Sequence, residues 1–142
     1  MYNPDTQSYE EKQYQDYDYD SLSRLSSLTY KSSQSEAASA TVNYTYNNNS
    51  QLAEKIISQN GNSIKTNYTY NNAGLIKTIQ QQTISDSGTS EDIWNESYSY
   101  RLDGNLYKKV DSANQTTEYG YDAIGRLTSE FYSEGDTAVW SA

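Results

Sequence analysis

The sequence contains no cysteine and no histidine. Without cysteine, the chain has no disulfide, no thiolate metal site and no cysteine nucleophile. Without histidine, it lacks the most common general base and the central residue of serine-type triads. We therefore predict a protein that is not an enzyme and has no catalytic residue, no cofactor and no metal site.

Long apolar runs are also missing, and Pro4 is the only proline. No apolar stretch approaches the roughly 18 residues that a membrane span requires. The first twenty residues are acidic and rich in tyrosine, which is unlike a signal peptide. The sequence predicts no membrane span, and we expect any export signal to lie outside this chain.

Basic residues are few, with 10 Lys and Arg against 19 Asp and Glu and a net charge of −9. Such a surface repels phosphate backbones, so we expect no binding to nucleic acid. Aliphatic residues are few as well, since Leu, Ile, Val and Phe make up 20 of 142 residues. That composition would favour disorder. However, sixteen tyrosines and two tryptophans can supply the missing apolar area.

The tyrosines occur in pairs, best seen in the segment EYGYDAIGRLTSEFY at 118–132. Tyr119 and Tyr121 alternate as on a strand with one buried face. Asp122 is suited to accept hydrogen bonds from backbone N–H groups ahead of it, and Gly125 to adopt the positive φ that closes a type I turn through a bulge. The segment predicts a strand, a tight turn and a return strand.

This pattern recurs five times. The predicted repeat core consists of the paired rings Tyr17 and Tyr19, Tyr44 and Tyr46, Tyr68 and Tyr70, Tyr98 and Tyr100, and Tyr119 and Tyr121. The predicted structural turn residues are Asp20, Asn47, Asn71, Gly74, Gly104, Asp122 and Gly125. The copies vary, because Ser23 and Ser50 stand where glycine is expected and Arg101 replaces the Asp or Asn.

The repeats set the predicted organisation of the chain. Residues 1–12 form an irregular acidic lead-in, and residues 13–142 form five hairpin repeats plus a truncated sixth strand at Ala138, Val139 and Trp140. Asn60-Gly61 predicts a two-residue turn between repeats, and 85–92 is the longest connection. We predict an all-β fold in which stacked antiparallel hairpins form a curved or spiralling sheet, part of a larger shell.

Two catalytic or metal-binding interpretations are weaker than a structural one. Asp16, Asp18 and Asp20 resemble the start of a calcium loop, but Ser21 and Ser27 stand where an EF-hand needs glycine and glutamate. A carboxylate pair for glycoside hydrolysis would have to come from Asp18, Asp20, Glu91, Asp92 and Asp122, and no spacing singles out a pair. Because asparagine replaces aspartate at the same turn position, we expect a role in closing turns.

Trp94 and Trp140 fall outside the repeat pattern and are candidate ligand contacts. Exposed aromatic rings stack on sugar faces, so a carbohydrate- or protein-binding module that uses the Tyr/Trp-rich face is an alternative function. Rings at alternate positions are, however, what the buried face of a sheet needs, and we favour packing.

The motif Y-x-Y-[DN]-x-x-G-x-L, with its best copy at 119–127, resembles the YD repeat of the RHS/YD-repeat family. The resemblance implies a sheet of hairpins that spirals into a hollow shell. In bacterial RHS toxins and wall-associated proteins such shells enclose a C-terminal toxic domain, and similar barrels serve adhesion in teneurins. The family's Asp-Pro-x-Gly-x-x-Gly-Gly motif has no counterpart here, so neither its self-cleaving protease site nor a toxin domain is carried over.

The resemblance also sets expectations for partners and location. We expect the chain to be a structural segment of a larger secreted or cell-surface bacterial protein. Its expected partners are flanking repeats or another copy, paired through edge strands, together with an encapsulated toxin domain or a glycan.

Overall fold

The structure, a computed structural model, describes residues 2–3, 8–9, 13–33, 36–135 and 137–139, with side chains described at 13–33 and 36–135. These residues form β-strands, most of them joined by tight turns, and they contain no helix. Every pair of strands whose register is defined is antiparallel. The prediction of an all-β fold built from antiparallel hairpins is confirmed.

The chain divides into two compact units, the first comprising Met1–Lys65 with Ile84–Thr89. Its lead-in, expected to be irregular, contains a short antiparallel pair of β1 and β2. The larger strands lie side by side in chain order, as consecutive hairpins require. The strands of this unit are β1 (Tyr2–Asn3), β2 (Ser8–Tyr9), β3 (Tyr14–Tyr19), β4 (Leu25–Lys31), β5 (Ala40–Tyr46), β6 (Leu52–Gln59) and the first residues of β7 (Asn62–Tyr70).

The second unit comprises Thr66–Thr83 with Ser90–Ala142. Here too, strands adjacent in the chain are adjacent in the sheet. The strand predicted to begin a sixth repeat is present, and its Val139 lies opposite Tyr132. After the last residues of β7, the strands are β8 (Ile76–Ile84, whose final residue belongs to the first unit), β9 (Ser90–Tyr100), β10 (Leu106–Asp111), β11 (Gln115–Tyr121), β12 (Leu127–Glu134) and β13 (Thr137–Val139).

Four hairpins share one register beside their turns. In each, the second tyrosine of the repeat lies opposite the leucine that follows the turn, and the pairing then shifts by one residue, which marks a β-bulge. The register explains why the motif spaces its last tyrosine and its leucine six positions apart. The pairs are Tyr19 with Leu25, Tyr46 with Leu52, Tyr100 with Leu106, and Tyr121 with Leu127.

The turn predicted between repeats at Asn60 and Gly61 joins β6 to β7. Both residues have positive φ, at 50° and 78°. This is the combination that a type I′ hairpin turn needs, so the prediction of a two-residue turn is confirmed.

Few residues of the described chain are buried, and they are not tyrosines. Thr66 is 2% exposed, Thr117 is 7% exposed and Val42 is 9% exposed. Val42 lies on β5 between β4 and β6, and Thr117 lies on β11 between β10 and β12. Small β-branched residues fit such positions because they pack on a pleated surface without displacing neighbours.

Candidate functional site

The turns between paired strands are the features that recur most closely in the described chain. In the first repeat, the Asp20 backbone N–H donates to the Arg24 carbonyl at 2.8 Å, and the Ser23 N–H donates to the Asp20 carbonyl at 2.9 Å. The same two bonds close the turns that begin at Asn47, Asn71, Ser85, Arg101 and Asp122. This is a type I turn completed by a left-handed residue, as the sequence predicts.

The residue in the left-handed position differs between repeats, although its conformation does not. Gly74, Gly104 and Gly125 have φ of 79°, 88° and 80°. Ser23 and Ser50, which replace glycine, have φ of 59°. The serine copies therefore keep the turn and accept the strain of a side chain in this region.

The first residue of the turn uses a single side-chain oxygen in the same way whether it is Asp or Asn. Oδ1 of Asp20 accepts from the backbone N–H groups of Leu22 at 2.9 Å and Arg24 at 3.0 Å. Equivalent pairs of bonds reach Oδ1 of Asn47, Asn71 and Asp122. An amide oxygen serves as well as a carboxylate oxygen here. The role of this side chain is therefore to accept hydrogen bonds from the backbone N–H groups of its own turn.

In the fourth repeat, a side chain at another position accepts the hydrogen bond from the turn backbone. Arg101 offers no acceptor at the first turn position, as the sequence indicates. Instead, Asp103 accepts from the Asn105 backbone N–H at 3.0 Å and from its side-chain amide at 3.1 Å. The bond from the Asn105 backbone is the main reason that the pKa of Asp103 lies below its ordinary value.

Two further connections, 85–89 and 111–115, contain a turn of the same kind, which was not expected from the sequence. Gly88 has φ of 79° within the 85–89 connection. Asn114 has φ of 59°, and Asp111 accepts from the N–H groups of Ala113 and Gln115, both at 2.9 Å. The missed signal was the spacing of a small polar residue three positions before Gly or Asn.

Arginines connect neighbouring turns within each unit. The Arg24 guanidinium lies 4.5 Å from the centre of the Tyr46 ring, donates to the Ser50 hydroxyl at 3.1 Å and pairs with Asp20 at 2.7 Å. In the second unit, Arg101 lies 5.4 Å from the centre of the Tyr121 ring. The second tyrosine of a repeat is therefore a platform for a cation from the preceding turn.

The carboxylates of Asp20 and Asp122 have a lowered pKa. In both, the largest cause is the hydrogen bond from the backbone N–H four residues ahead, at Arg24 or Arg126. A carboxyl whose pKa is lower in the folded state than in the unfolded chain stabilises the fold at neutral pH. This contribution is lost as the pH falls below about 4 and through the folded-state pKa.

Asp122→Asn is expected to reduce this acid sensitivity. The amide keeps the oxygen acceptor, as Asn47 and Asn71 do, but it does not titrate and cannot form the ion pair with Arg126. Urea unfolding should show the variant less stable than the original at about pH 7, with the difference shrinking toward about pH 2.5. An equal difference at both pH values would show that the charge of Asp122 is irrelevant.

The ten repeat tyrosines are half-buried or exposed. Tyr44, Tyr46, Tyr68, Tyr70, Tyr98, Tyr100, Tyr119 and Tyr121 are half-buried. Tyr17 and Tyr19 are 51% and 61% exposed, which corrects the expectation that they belong to the core. Within the described residues β3 has only β4 beside it, so its rings are covered from one side. Trp94 is half-buried on β9, and Trp140 lies outside the described residues.

One charged cluster on β9 and β10 was not expected from the sequence. Glu96, whose side chain is 12% exposed, accepts from the Tyr98 hydroxyl and pairs with Lys109 Nζ at 3.2 Å. Burial raises the pKa of Tyr98, and the bond to Glu96 raises it further. The same carboxylate raises the pKa of Lys109. Finding this cluster required the pairing of β9 with β10, which brings Tyr98 opposite Lys109.

The acidic run on β3 is held by the next strand. Asp16 pairs with Lys31 at 2.6 Å, and Asp18 accepts from the Ser27 hydroxyl at 2.9 Å.

Within the ranges that the structure describes, no three acidic side chains converge in a way that could hold a metal ion. Those same ranges contain no helix that is long and apolar enough to cross a membrane.

The recurring geometry is therefore a turn closed by backbone bonds, capped by an Asp or Asn oxygen and flanked by a tyrosine–leucine pair. Comparison of the whole chain with models of known protein families and with curated proteins finds no match.

Proposed function

We propose that the chain is a structural scaffold: a run of β-hairpin repeats, similar to RHS/YD repeats, that forms part of a shell or surface wall in a larger exported bacterial protein. The observation that carries this proposal is the repeated register, in which Tyr46 and Leu52, or Tyr121 and Leu127, lie opposite each other beside the same turn. A hairpin that repeats its register offers the next hairpin the same edge, which is the requirement for extension by stacking.

The use of the recurring polar residues supports a structural role. Oδ1 of Asp122 receives two backbone N–H groups, at 3.1 Å and 2.9 Å, and its second oxygen pairs with Arg126 Nε at 2.7 Å. Oδ1 of Asn71 likewise receives two N–H groups at 3.0 Å. The side chains that the repeat retains are engaged in fixing the backbone, and the scaffold acts through shape.

The edge of the first unit supports a role for neighbouring repeats as partners. Among the described residues, β3 has β4 as its only neighbour in the sheet. An unpaired edge presents a row of backbone donors and acceptors to another strand. Flanking repeats of the parent protein, or another copy, would complete this edge, and a toxic domain enclosed by the completed wall is the cargo that the resemblance implies.

The test uses the full-length protein that the native gene encodes, purified intact from the cells that produce it. Electron microscopy should show a hollow shell whose wall contains these hairpins, with the tyrosine–leucine pairs at the turn ends. A compact particle without an internal space or an extended wall would contradict the proposal. The hairpin register within this chain would be unaffected by that outcome, so fold and function are tested separately.

A further inference from the structure

The second unit contains an open groove between the turn that follows β7 and the turn that follows β9. Its volume is about 530 Å³, within the range of ligand sites. The groove is lined by residues of both turns and of the strands beside them, among them Tyr70, Asn72, Leu75, Lys77, Tyr100 and Arg101.

The charge of the groove is opposite to that of the chain. Six of the lysines and arginines in the described residues form ion pairs with carboxylates. Within the same residues, Lys55, Lys77 and Arg101 form none, and two of these three line the groove. No Asp or Glu is among the lining residues. Two exposed cations that form no ion pair therefore line one depression of a chain with net charge −9, although the carboxylate of Asp103, which is outside the lining, offsets part of the charge of Arg101.

The equivalent space between the first two turns is used differently. There, Arg24 reaches from one turn to the ring of Tyr46, and Asp20 neutralises it. In the turn after β7, Leu75 occupies the position of Arg24, and the short Asn71 occupies the position of Arg101. Neither side chain can place a cation over Tyr100. The groove remains open for this reason.

We propose that this groove binds an acidic peptide segment of a partner protein, with carboxylates placed on Lys77 and Arg101 and apolar side chains placed against Leu75, Leu102 and the tyrosines. Leu102 is fully exposed at its turn. Aliphatic walls beside cations suit a peptide that alternates acidic and apolar residues. The lining also contains the rings of Tyr70 and Tyr100 and the amides of Asn71 and Asn72, which a saccharide can contact. We favour the peptide because Leu75 and Leu102 suit apolar side chains better than the hydrated face of a sugar. The inference rests on the groove alone and is independent of the shell proposal.

Long-range repulsion from the acidic chain opposes such a ligand, so salt conditions matter. At about 0.15 M salt the screening length is about 8 Å, which leaves the local cations to determine binding. The test should therefore be made near this ionic strength.

The test uses the whole chain labelled with ¹⁵N and a capped peptide that alternates glutamate and leucine. We expect saturable shifts of the amides of Lys77, Tyr100 and Arg101. Lys77→Gln and Arg101→Gln should each weaken binding by about two- to fivefold, as expected for exposed charge pairs. Lys55→Gln is the matched control, because it removes an equally unpaired cation that does not line the groove, and it should bind as the original chain does.

Two further ligands test whether binding needs carboxylates and whether the groove prefers a peptide to a saccharide. The same peptide with glutamine in place of glutamate should not bind, and equal binding would overturn the role of the cations. Oligogalacturonate that binds more tightly than the peptide through the same amides would overturn the peptide as occupant. Unchanged affinity in Lys77→Gln, whose spectrum must show an intact fold, would overturn the site.

Discussion

Replacing Tyr46 with alanine is expected to lower the free energy of unfolding by about 2–3 kcal/mol, less than the loss for a fully buried ring. The ring is half-buried, its hydroxyl donates to the Leu25 carbonyl at 2.8 Å, and the Arg24 guanidinium lies 4.5 Å from its centre. The substitution removes all three contacts and leaves the carbonyl of Leu25 without this donor. Chemical unfolding followed by circular dichroism measures the loss.

Tyr19→Ala is the matched control for this experiment. Tyr19 holds the same position in the first repeat and also lies opposite a leucine, Leu25, but its side chain is 61% exposed. Its loss is expected to cost about 0.5 kcal/mol or less, as for other surface positions. Tyr46→Phe removes the hydroxyl and keeps the ring, so it measures the contribution of the hydroxyl, which should be about 1 kcal/mol. Equal effects of Tyr19→Ala and Tyr46→Ala would contradict the packing described for the second repeat.

Gly125→Val is expected to destabilise the protein by about 1–3 kcal/mol. Gly125 has φ of 80°, a region that β-branched residues rarely adopt. An added Cβ would lie 3.7 Å from the Asn105 side-chain nitrogen, which is an ordinary contact. The cost therefore arises from the backbone and not from a collision. Thermal unfolding of the variant measures it, and an unchanged melting curve would contradict the turn.

The reverse substitution provides an independent control. Ser50 occupies the same turn position with φ of 59°. Ser50→Gly should stabilise the protein by about 0.5 kcal/mol or less, because relief of strain exceeds the entropy that glycine adds to the unfolded chain together with the exposed hydrogen bond lost from Arg24. Gly125→Asn should cost less than Gly125→Val, since asparagine tolerates the left-handed region. A destabilised Ser50→Gly variant would indicate that the serine hydroxyl, and not the backbone, determines stability there.

The local turn chemistry could be predicted because it depends on residues close in the chain. Asp122 and Gly125 are three positions apart, and an oxygen followed by a residue with positive φ specifies this turn almost without reference to the rest of the protein. The same reasoning should have found the turn that ends at Asn114, where asparagine replaces glycine. In contrast, only the structure shows that Asp103 accepts the hydrogen bond in the fourth repeat. Two changes act together there, since Arg101 removes the acceptor at the first turn position and Asp103 provides another.

The arrangement of side chains across strands could not be read from the sequence. Tyr17 and Tyr46 belong to the same repeat pattern, yet one ring is exposed and the other half-buried, since burial depends on which strands lie alongside. The contact of Glu96 with Lys109 and the groove beside Lys77 and Arg101 likewise depend on residues brought together from different strands.

The sequence by itself determined the strand type, the turns and the hairpin order, because alternation and turn residues act over a few positions of the chain. Only the tertiary structure decided which tyrosines are covered, which arginine lies over which ring and which cations remain without a carboxylate. Those outcomes depend on the register between strands and on the neighbours at each edge, and side-chain contacts across a sheet leave no fixed spacing in the sequence.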